Sequence, residues 1–293
     1  MDVAFGLDPD QGLEERDELD VVELGRRVGY VAAWTPSRGD AVAFDRCIGW
    51  HRATGIPTGI AAVPASEQPP EFFAEHARRT WDATEGTFTL GVGSGRMPHP
   101  AEGMRRYLSA LRRLVPADMR IHLAALGPRM VLLAVDLADG VDLNWCTAEQ
   151  VERSREAVRV AAQAAGREPP PLAEYIRTSV DADPHAARHA LAAAVARYAL
   201  APGPYRRHFE RLGFADELAR AEATGDWDER MLSAVGAWGA PAAVRQQLGR
   251  LATGLDLAIV RVVAARRGDP RSVRAVLEEC APAPVTGDGP GDR

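Results

Sequence analysis

The sequence contains no lysine: all 35 of its basic residues are arginine. Genome composition accounts for that first, and it leaves every cationic side chain able to grip an anion with a two-pronged fork. Nucleic acid is not an expected partner, because the formal net charge is −6 and no basic surface stretch stands out. Cysteine is scarce: Cys47, Cys146 and Cys280 lie far apart and form no CxxC pair. That usage predicts reduced, packed thiols in a cytoplasmic protein. Long apolar runs are missing, so no membrane span is expected. The opening MDVAFGLDPD has neither a basic nor an apolar segment, so no signal peptide is expected. The seven histidines are scattered, and only His185 and His189 share a helical i, i+4 spacing. Their segment, PHAARHA, lacks the glutamate of a zinc-protease helix, and no metal site is expected. A GxSxG nucleophile elbow is also absent.

What is present is a chain of 293 residues, 46% hydrophobic and 26% charged, enough for one large domain or two ordinary ones. Short apolar runs alternate with amphipathic stretches. The runs are VAFGL (3–7), YVAAWTP (30–36), TGIAAVP (58–64), FTLGVGSG (88–95), IHLAALG (121–127), GVDLNW (140–145), YIRTSV (175–180) and LAIVRVVA (257–264). Helical patterns such as TAEQVERSREAVRVAAQAAG fall between them, with Val151, Val158 and Ala162 on one stripe. Strict alternation of strand and helix implies a parallel sheet covered by helices, and eight units imply a (β/α)₈ barrel. A doubly wound sheet fits less well, because the first strand ends in GLDPDQG rather than in a phosphate loop. Residues 184–252 read as wholly helical, an insertion between the seventh and eighth strands. The expected organisation is one domain over 1–281 with a disordered tail over 282–293.

In such a barrel the site lies where the strands stop. The residues at those ends include Asp8, Trp34, Ser37, Arg38, Asp40, Gly95, Arg96, His99, Gly127, Asn144, Trp145 and Arg177. Gly91, Gly93 and Gly95 bare one side of the fourth strand, which admits either a flat ring or the packed layers of the barrel itself. LAALGPRM passes from a strand into a helix at Gly127-Pro128. Such a turn suits a phosphate and is equally an ordinary strand-to-helix connection. Trp34 and Trp145 at strand ends admit a role as pocket walls or as core.

The segments ELGRRVGYVAAWTP, PPEFFAEHARRTWDATEGTFTLGVGSG, LAALGPRMVLLAVDLADGV, VARYALAPGPYRRHFERLGF and VGAWGAPAAVRQQL occur in an order covering nearly the whole chain. As a set the chain resembles the bacterial luciferase-like superfamily, and in particular its actinobacterial branch of coenzyme F420-dependent oxidoreductases. The resemblance implies the same barrel with an insertion after strand seven, usually as a homodimer, binding F420 or FMN across its mouth. It places Ile60 and Ala61 behind the cofactor ring, often with a non-proline cis peptide. It places Gly95 and Arg96 beside the ring, and Ala124, Ala125, Leu126 and Gly127 around the phosphate. Trp34 would wall the cofactor pocket; Ser37, Arg38, Asn144, Trp145 and Arg177 would line the substrate side. F420 is preferred over FMN, since its anionic tail suits an arginine-lined entrance.

Many relatives carry a histidine shortly after the second strand, where this chain reads WTPSRGD. No acid–base residue therefore carries over, and His99, Asp8 and Asp40 are candidates by position, His99 first. The expected activity is hydride exchange between F420 and a small organic substrate, such as an electron-poor C=C or C=N. An FMNH₂-dependent monooxygenase and a non-catalytic flavin-binding relative are the alternatives.

Overall fold

The computed structural model describes residues 1–282. The tail expected to be disordered lies, from residue 283 onward, outside the described residues. Nine strands form one sheet: β1 (Asp2–Gly6), β2 (Ala33–Thr35), β3 (Thr58–Pro64), β4 (Phe88–Gly93), β5 (Arg120–Ala124), β6 (Gly140–Asn144), β7 (Leu172–Val180), β8 (Gly236–Gly239) and β9 (Leu257–Val262). All pairings are parallel, and β1 to β6, β7 and β9 close a ring through the β1–β9, β9–β7 and β7–β6 pairs. This is the eight-stranded (β/α)₈ barrel. Helices α1 (Glu15–Arg27), α2 (Val42–Thr54), α3 (Pro70–Ala83), α4 (Pro100–Arg112), α5 (Pro128–Leu137) and α6 (Ala148–Ala164) follow the first six strands. The insertion after β7 carries α7 (Pro184–Ala199), α8 (Pro204–Arg211), α9 (Ala215–Thr224) and α10 (Glu229–Val235). Beyond it come α11 (Pro241–Leu251) and α12 (Pro270–Glu279). Many of these helices begin at proline, whose missing N–H costs nothing in a first turn.

The expectation of a wholly helical stretch over 184–252 is corrected by β8. A strand has two edges, and one edge of β7 is shared in succession. Residues 172–175 pair with β6, and residues 177–180 pair with β8. The other edge, 173–178, belongs to β9. The insertion thus returns to the barrel wall where β6 has stopped.

Two layers of core follow from the alternation of the strands. Phe5, Ile60, Phe88 and Leu90 turn outward against the helices and join the main apolar core. The inward positions are unusually bare. A Cβ on Gly6 would sit 2.7 Å from the Tyr175 ring, on Gly59 2.6 Å from the Trp34 indole, and on Gly140 2.4 Å from the His122 imidazole. One on Gly91 would lie 2.5 Å from the Ile60 carbonyl oxygen and 2.7 Å from Asp142 Oδ2. The barrel is therefore filled by a few large side chains, each seated on a glycine of another strand, instead of by rings of branched aliphatics. Gly59→Ala is expected to cost about 1–3 kcal/mol of unfolding free energy by forcing Trp34 aside. Urea denaturation checks this, and an unchanged midpoint would mean that the indole moves freely.

The three cysteines are unpaired and buried. Burial pushes the Cys47 and Cys280 thiols up to about 12 and that of Cys146 well above its ordinary value, so all three stay protonated. No helix among the described residues is long and apolar enough to cross a membrane.

Candidate functional site

At the C-terminal ends of β1, β6, β7 and β9 the fold gathers charged and polar side chains that burial would penalise singly. Arg261, inward on β9, donates to Asp8, just beyond β1, at 2.5 Å, and both side chains are nearly inaccessible. The same guanidinium lies 4.9 Å over the ring of Tyr175. Arg177, two residues along β7 from Tyr175 and on the same face, donates to the Asn144 side-chain oxygen at the end of β6. Asn144 passes the chain on, its Nδ2 donating to the Tyr205 hydroxyl at 2.8 Å. The Arg177 guanidinium lies 4.0 Å over the Trp145 ring and 5.2 Å over that of Tyr198. Tyr198 comes from α7 and Tyr205 from α8, so the insertion supplies the roof of this set.

Besides the Trp145 indole N–H, three atoms in this group are buried without a partner: Asp8 Oδ1, Tyr175 Oη and Arg177 Nη2. A buried donor or acceptor left unmade costs about 1–3 kcal/mol, so hydrogen-bonding capacity is left unmet at this end of the barrel. Burial, aggravated by Arg261, lowers the Arg177 pKa to about 10. Burial opposes the charge of Arg261 too, but Asp8, Tyr198 and Tyr175 together outweigh it and the pKa rises. At Tyr198 burial disfavours the phenolate, yet Arg177 and Arg261 prevail and its pKa falls below the usual tyrosine value. Burial raises Tyr175 and Tyr205 instead.

Behind the site, Glu174 holds the turn that follows β6, its carboxylate accepting from the Cys146 N–H at 2.7 Å. Trp145 adopts φ 57° in that turn. Its indole is fully buried among α7 and α8 residues, with Tyr198 and Phe209 at ring distances of 5.5 and 5.8 Å. His208 Nε2 donates to the Trp145 carbonyl at 3.0 Å and fastens α8 over it.

The ends of β3, β4 and β5 form a different surface. The peptide between Ala61 and Ala62 is cis. Space above Gly93 is bounded by methyl groups: a Cβ there would stand 3.6 Å from that of Ala62 and 3.5 Å from that of Ala124. Ala125 is buried, while Ala124, Leu126 and Gly127 are half-buried, and α5 begins at Pro128 directly beyond. Arg211 of α8 reaches this corner, donating to the Leu126 carbonyl at 3.2 Å.

Several sequence-based site expectations are corrected. Trp34 points into the middle of the barrel, only 2% exposed, because its register neighbours Gly6 and Gly59 leave it that space. Trp145 packs beneath the insertion and does not wall an open pocket. Ile60 turns outward into the helix layer, so of the Ile60-Ala61 pair only Ala61 faces inward. Gly95, at φ 59°, and Arg96 lie in an exposed turn past β4, where Ser66 Oγ accepts from the Arg96 N–H at 3.0 Å. His99 is exposed as the residue preceding α4. Asp40 is exposed and accepts from the Val42 N–H at the start of α2. Ser37 is spent on the Gly39 N–H, and Arg38, exposed, pairs with Asp10 at 2.6 Å. Of the residues named from the sequence, Asn144 and Arg177 are hydrogen-bonded and Asp8 lies near enough for its charge to act on Arg177. Arg261, Tyr175, Tyr198 and Tyr205 were not singled out from the sequence. A lone arginine inside LAIVRVVA was the available signal, since a buried cation requires a partner.

A family model described as luciferase-like monooxygenase matches residues 98–256. A 5,10-methylenetetrahydromethanopterin reductase of Methanolobus tindarius is 27% identical over 172 residues, 54% of this chain. The chain spans about half the length of that curated relative, 52%. Among solved structures, the coenzyme F420-dependent tetrahydromethanopterin reductase of Methanopyrus kandleri superposes with a TM-score of 0.75 at 18% identity, covering 95% of this chain and 98% of the other. The oxygenating constituent of 3,6-diketocamphane monooxygenase from Pseudomonas putida, in complex with FMN, gives 0.64 at 16% identity, covering 96% and 98%. Both likenesses are of fold.

Proposed function

The chain belongs to the luciferase-like monooxygenase family, and we propose that within it the protein exchanges hydride between a deazaflavin of the F420 type and a small organic substrate. The observation that supports this reading is the trio of unpartnered buried atoms, Asp8 Oδ1, Tyr175 Oη and Arg177 Nη2, inside the barrel around the Asp8–Arg261 pair. One is an acceptor, one a cationic donor and one either, which matches the edge of a polar heterocycle or its substrate better than an apolar ligand.

The residues present fit such a cofactor. Ala61, Ala62, Gly93 and Ala124 give a smooth, methyl-lined surface on which a flat ring can rest, and Gly127-Pro128 at the start of α5, with Arg211 beside it, suits an anionic group. Bound there, a deazaflavin or flavin supplies the hydride chemistry. The protein's own part is positioning and protons. Arg177 Nη2 holds a developing negative charge at a substrate oxygen or nitrogen, and Asp8 Oδ1 fixes a donor group opposite. Tyr198, half-buried and with a lowered pKa, is the mouth residue suited to hand over a proton. His99 and Asp40 do not keep this role, because both face solvent. Tyr198, Tyr205 and Trp145 shield the site from water. A homodimer in the cytoplasm goes with the reading; sedimentation at several concentrations measures the first.

The test is a matched titration of cofactor-free protein with F420 and with FMN, followed by tryptophan fluorescence. Saturable micromolar quenching by F420, with FMN at least tenfold weaker, supports the deazaflavin. The opposite order supports the second reading, a flavin-dependent monooxygenase, which the FMN-bound Pseudomonas structure keeps in view. Binding of neither defeats the enzyme reading.

A further inference from the structure

The insertion is tied to the barrel unevenly. On the β5–β6 side three contacts hold it: Asn144 Nδ2 to the Tyr205 hydroxyl at 2.8 Å, His208 Nε2 to the Trp145 carbonyl at 3.0 Å and Arg211 to the Leu126 carbonyl at 3.2 Å. All three reach α8. Toward β1–β4, among the described residues, residues 184–235 make a single hydrogen-bonded ion pair, Arg197 of α7 with Asp10 at 3.1 Å.

Asp10 stands on a firm base. Its neighbour Gln11 is buried and clamps the loop after β1 to the end of β9, donating to the Val262 carbonyl at 3.1 Å and accepting from the Ala264 N–H at 2.9 Å. The Asp10 carboxylate takes Arg38 on Oδ1 and Arg197 on Oδ2, so it joins the loops after β1 and β2 to the last turn of α7. Tyr198 follows Arg197 directly, with the Arg177 guanidinium 5.2 Å from the centre of its ring. A cation holds such a ring only within about 6 Å, so a displacement of roughly one ångström in that turn would undo the contact.

We infer that Asp10 and Arg197 are positioning residues: their ion pair seats the last turn of α7 so that Tyr198 stays against Arg177. The inference rests on the reading of Tyr198 as the proton donor. An exposed pair of this kind adds little to global stability, and its contribution is to local geometry. Burial disfavours the Tyr198 phenolate, and Arg177 and Arg261 overcome it against Asp8. The pair therefore reaches the phenol through Arg177.

The experiment is a pH titration of the full chain followed by ultraviolet phenolate absorbance, with no cofactor or substrate present, so its outcome does not depend on the hydride chemistry. Burial pushes Tyr30, Tyr107, Tyr175 and Tyr205 up and Tyr198 alone is lowered, so the first of the five tyrosines to ionise is Tyr198, identified by its loss in Tyr198→Phe. Removing the negative charge of Asp10 would by itself ease that ionisation and lower the first midpoint; losing the seat against Arg177 raises it. Asp10→Ala is expected to raise it by at least about half a pH unit, while Asp10→Glu, which keeps the carboxylate, stays close to the parent. Arg197→Met should give a similar rise, and adding Asp10→Ala to it should give no more. Circular dichroism confirms that each variant is folded. A fall or no change in Asp10→Ala, an equal rise in Asp10→Glu, or a rise in the double variant equal to the sum of the two singles would each overturn the inference. Absence of an early phenolate that Tyr198→Phe removes would defeat the reading of Tyr198 itself, and the inference with it.

Discussion

Arg261→Met is expected to lower the unfolding free energy by about 3–5 kcal/mol, the usual cost of stranding one member of a buried ion pair. Asp8 and Arg261 are nearly inaccessible and 2.5 Å apart, and methionine leaves the carboxylate in the barrel without its hydrogen-bonded cation. The loss includes the cation over the Tyr175 ring. Adding Asp8→Asn should restore most of the deficit, because the buried charge is then gone from both sides. Urea unfolding of the parent, the two single variants and the double variant closes the cycle. A single-variant loss below about 1 kcal/mol would show that water reaches the pair, and the mouth would then be an open cleft. The double variant should regain stability but not cofactor affinity, which separates the pair's structural contribution from its role at the site.

Glu174→Gln has the second large effect, and its sign depends on pH. Burial raises the Glu174 pKa from 4.5 to about 8. Below about pH 4.5 the folded and unfolded chains both carry this proton. Between 4.5 and 8 the folded chain keeps a proton that the unfolded chain releases, so raising the pH favours unfolding by up to about 1.4 kcal/mol per unit. Above 8 the loss is complete and levels off. Glutamine is neutral throughout and still accepts from the Cys146 N–H. The variant should match the parent near pH 4 and exceed it by about 2–4 kcal/mol at pH 9. Denaturant midpoints taken across that range check it, and a difference independent of pH would mean that the carboxylate is ionised in the fold. Glutamate at this position would then be retained for what it does to the Trp145 turn beside Arg177.

The strand positions were legible in the sequence because a parallel strand, covered on both faces, reads as a compact apolar run between helical repeats. Six of the runs contain their strands to within one residue; YVAAWTP shrinks to Ala33–Thr35, and YIRTSV misses the first three residues of β7. β8 was invisible for a simple reason: four residues, GAWG, between two helices carry no periodicity to detect. Which face of a strand looks inward was also hidden. Trp34 and Trp145 are both strand-end tryptophans, yet one fills the barrel and the other joins the insertion, and only the neighbouring glycines decide it. The bare face of β4 has the same explanation in part: Gly91 yields to Asp142 and the β3 backbone, Gly95 to Ser66, while at Gly93 a methyl would fit in ordinary contact with Ala62 and Ala124. Asp8, Asn144 and Arg177 were recoverable from position. Tyr198 and Tyr205 were not, since a tyrosine in an amphipathic helix carries no mark of the cation it will cover.

The change of partner along β7 has a practical corollary for chimeras. The lower hoop of the barrel closes through β6 and needs nothing from residues 184–235, while the roof brings its own four-residue fastening, β8, to the upper half of the wall. A transplant of roofs between relatives should therefore be cut before Pro184 and after Gly239. A cut before Gly236 would join the transplanted helices to the host's β8, so that the roof and its fastening come from different chains.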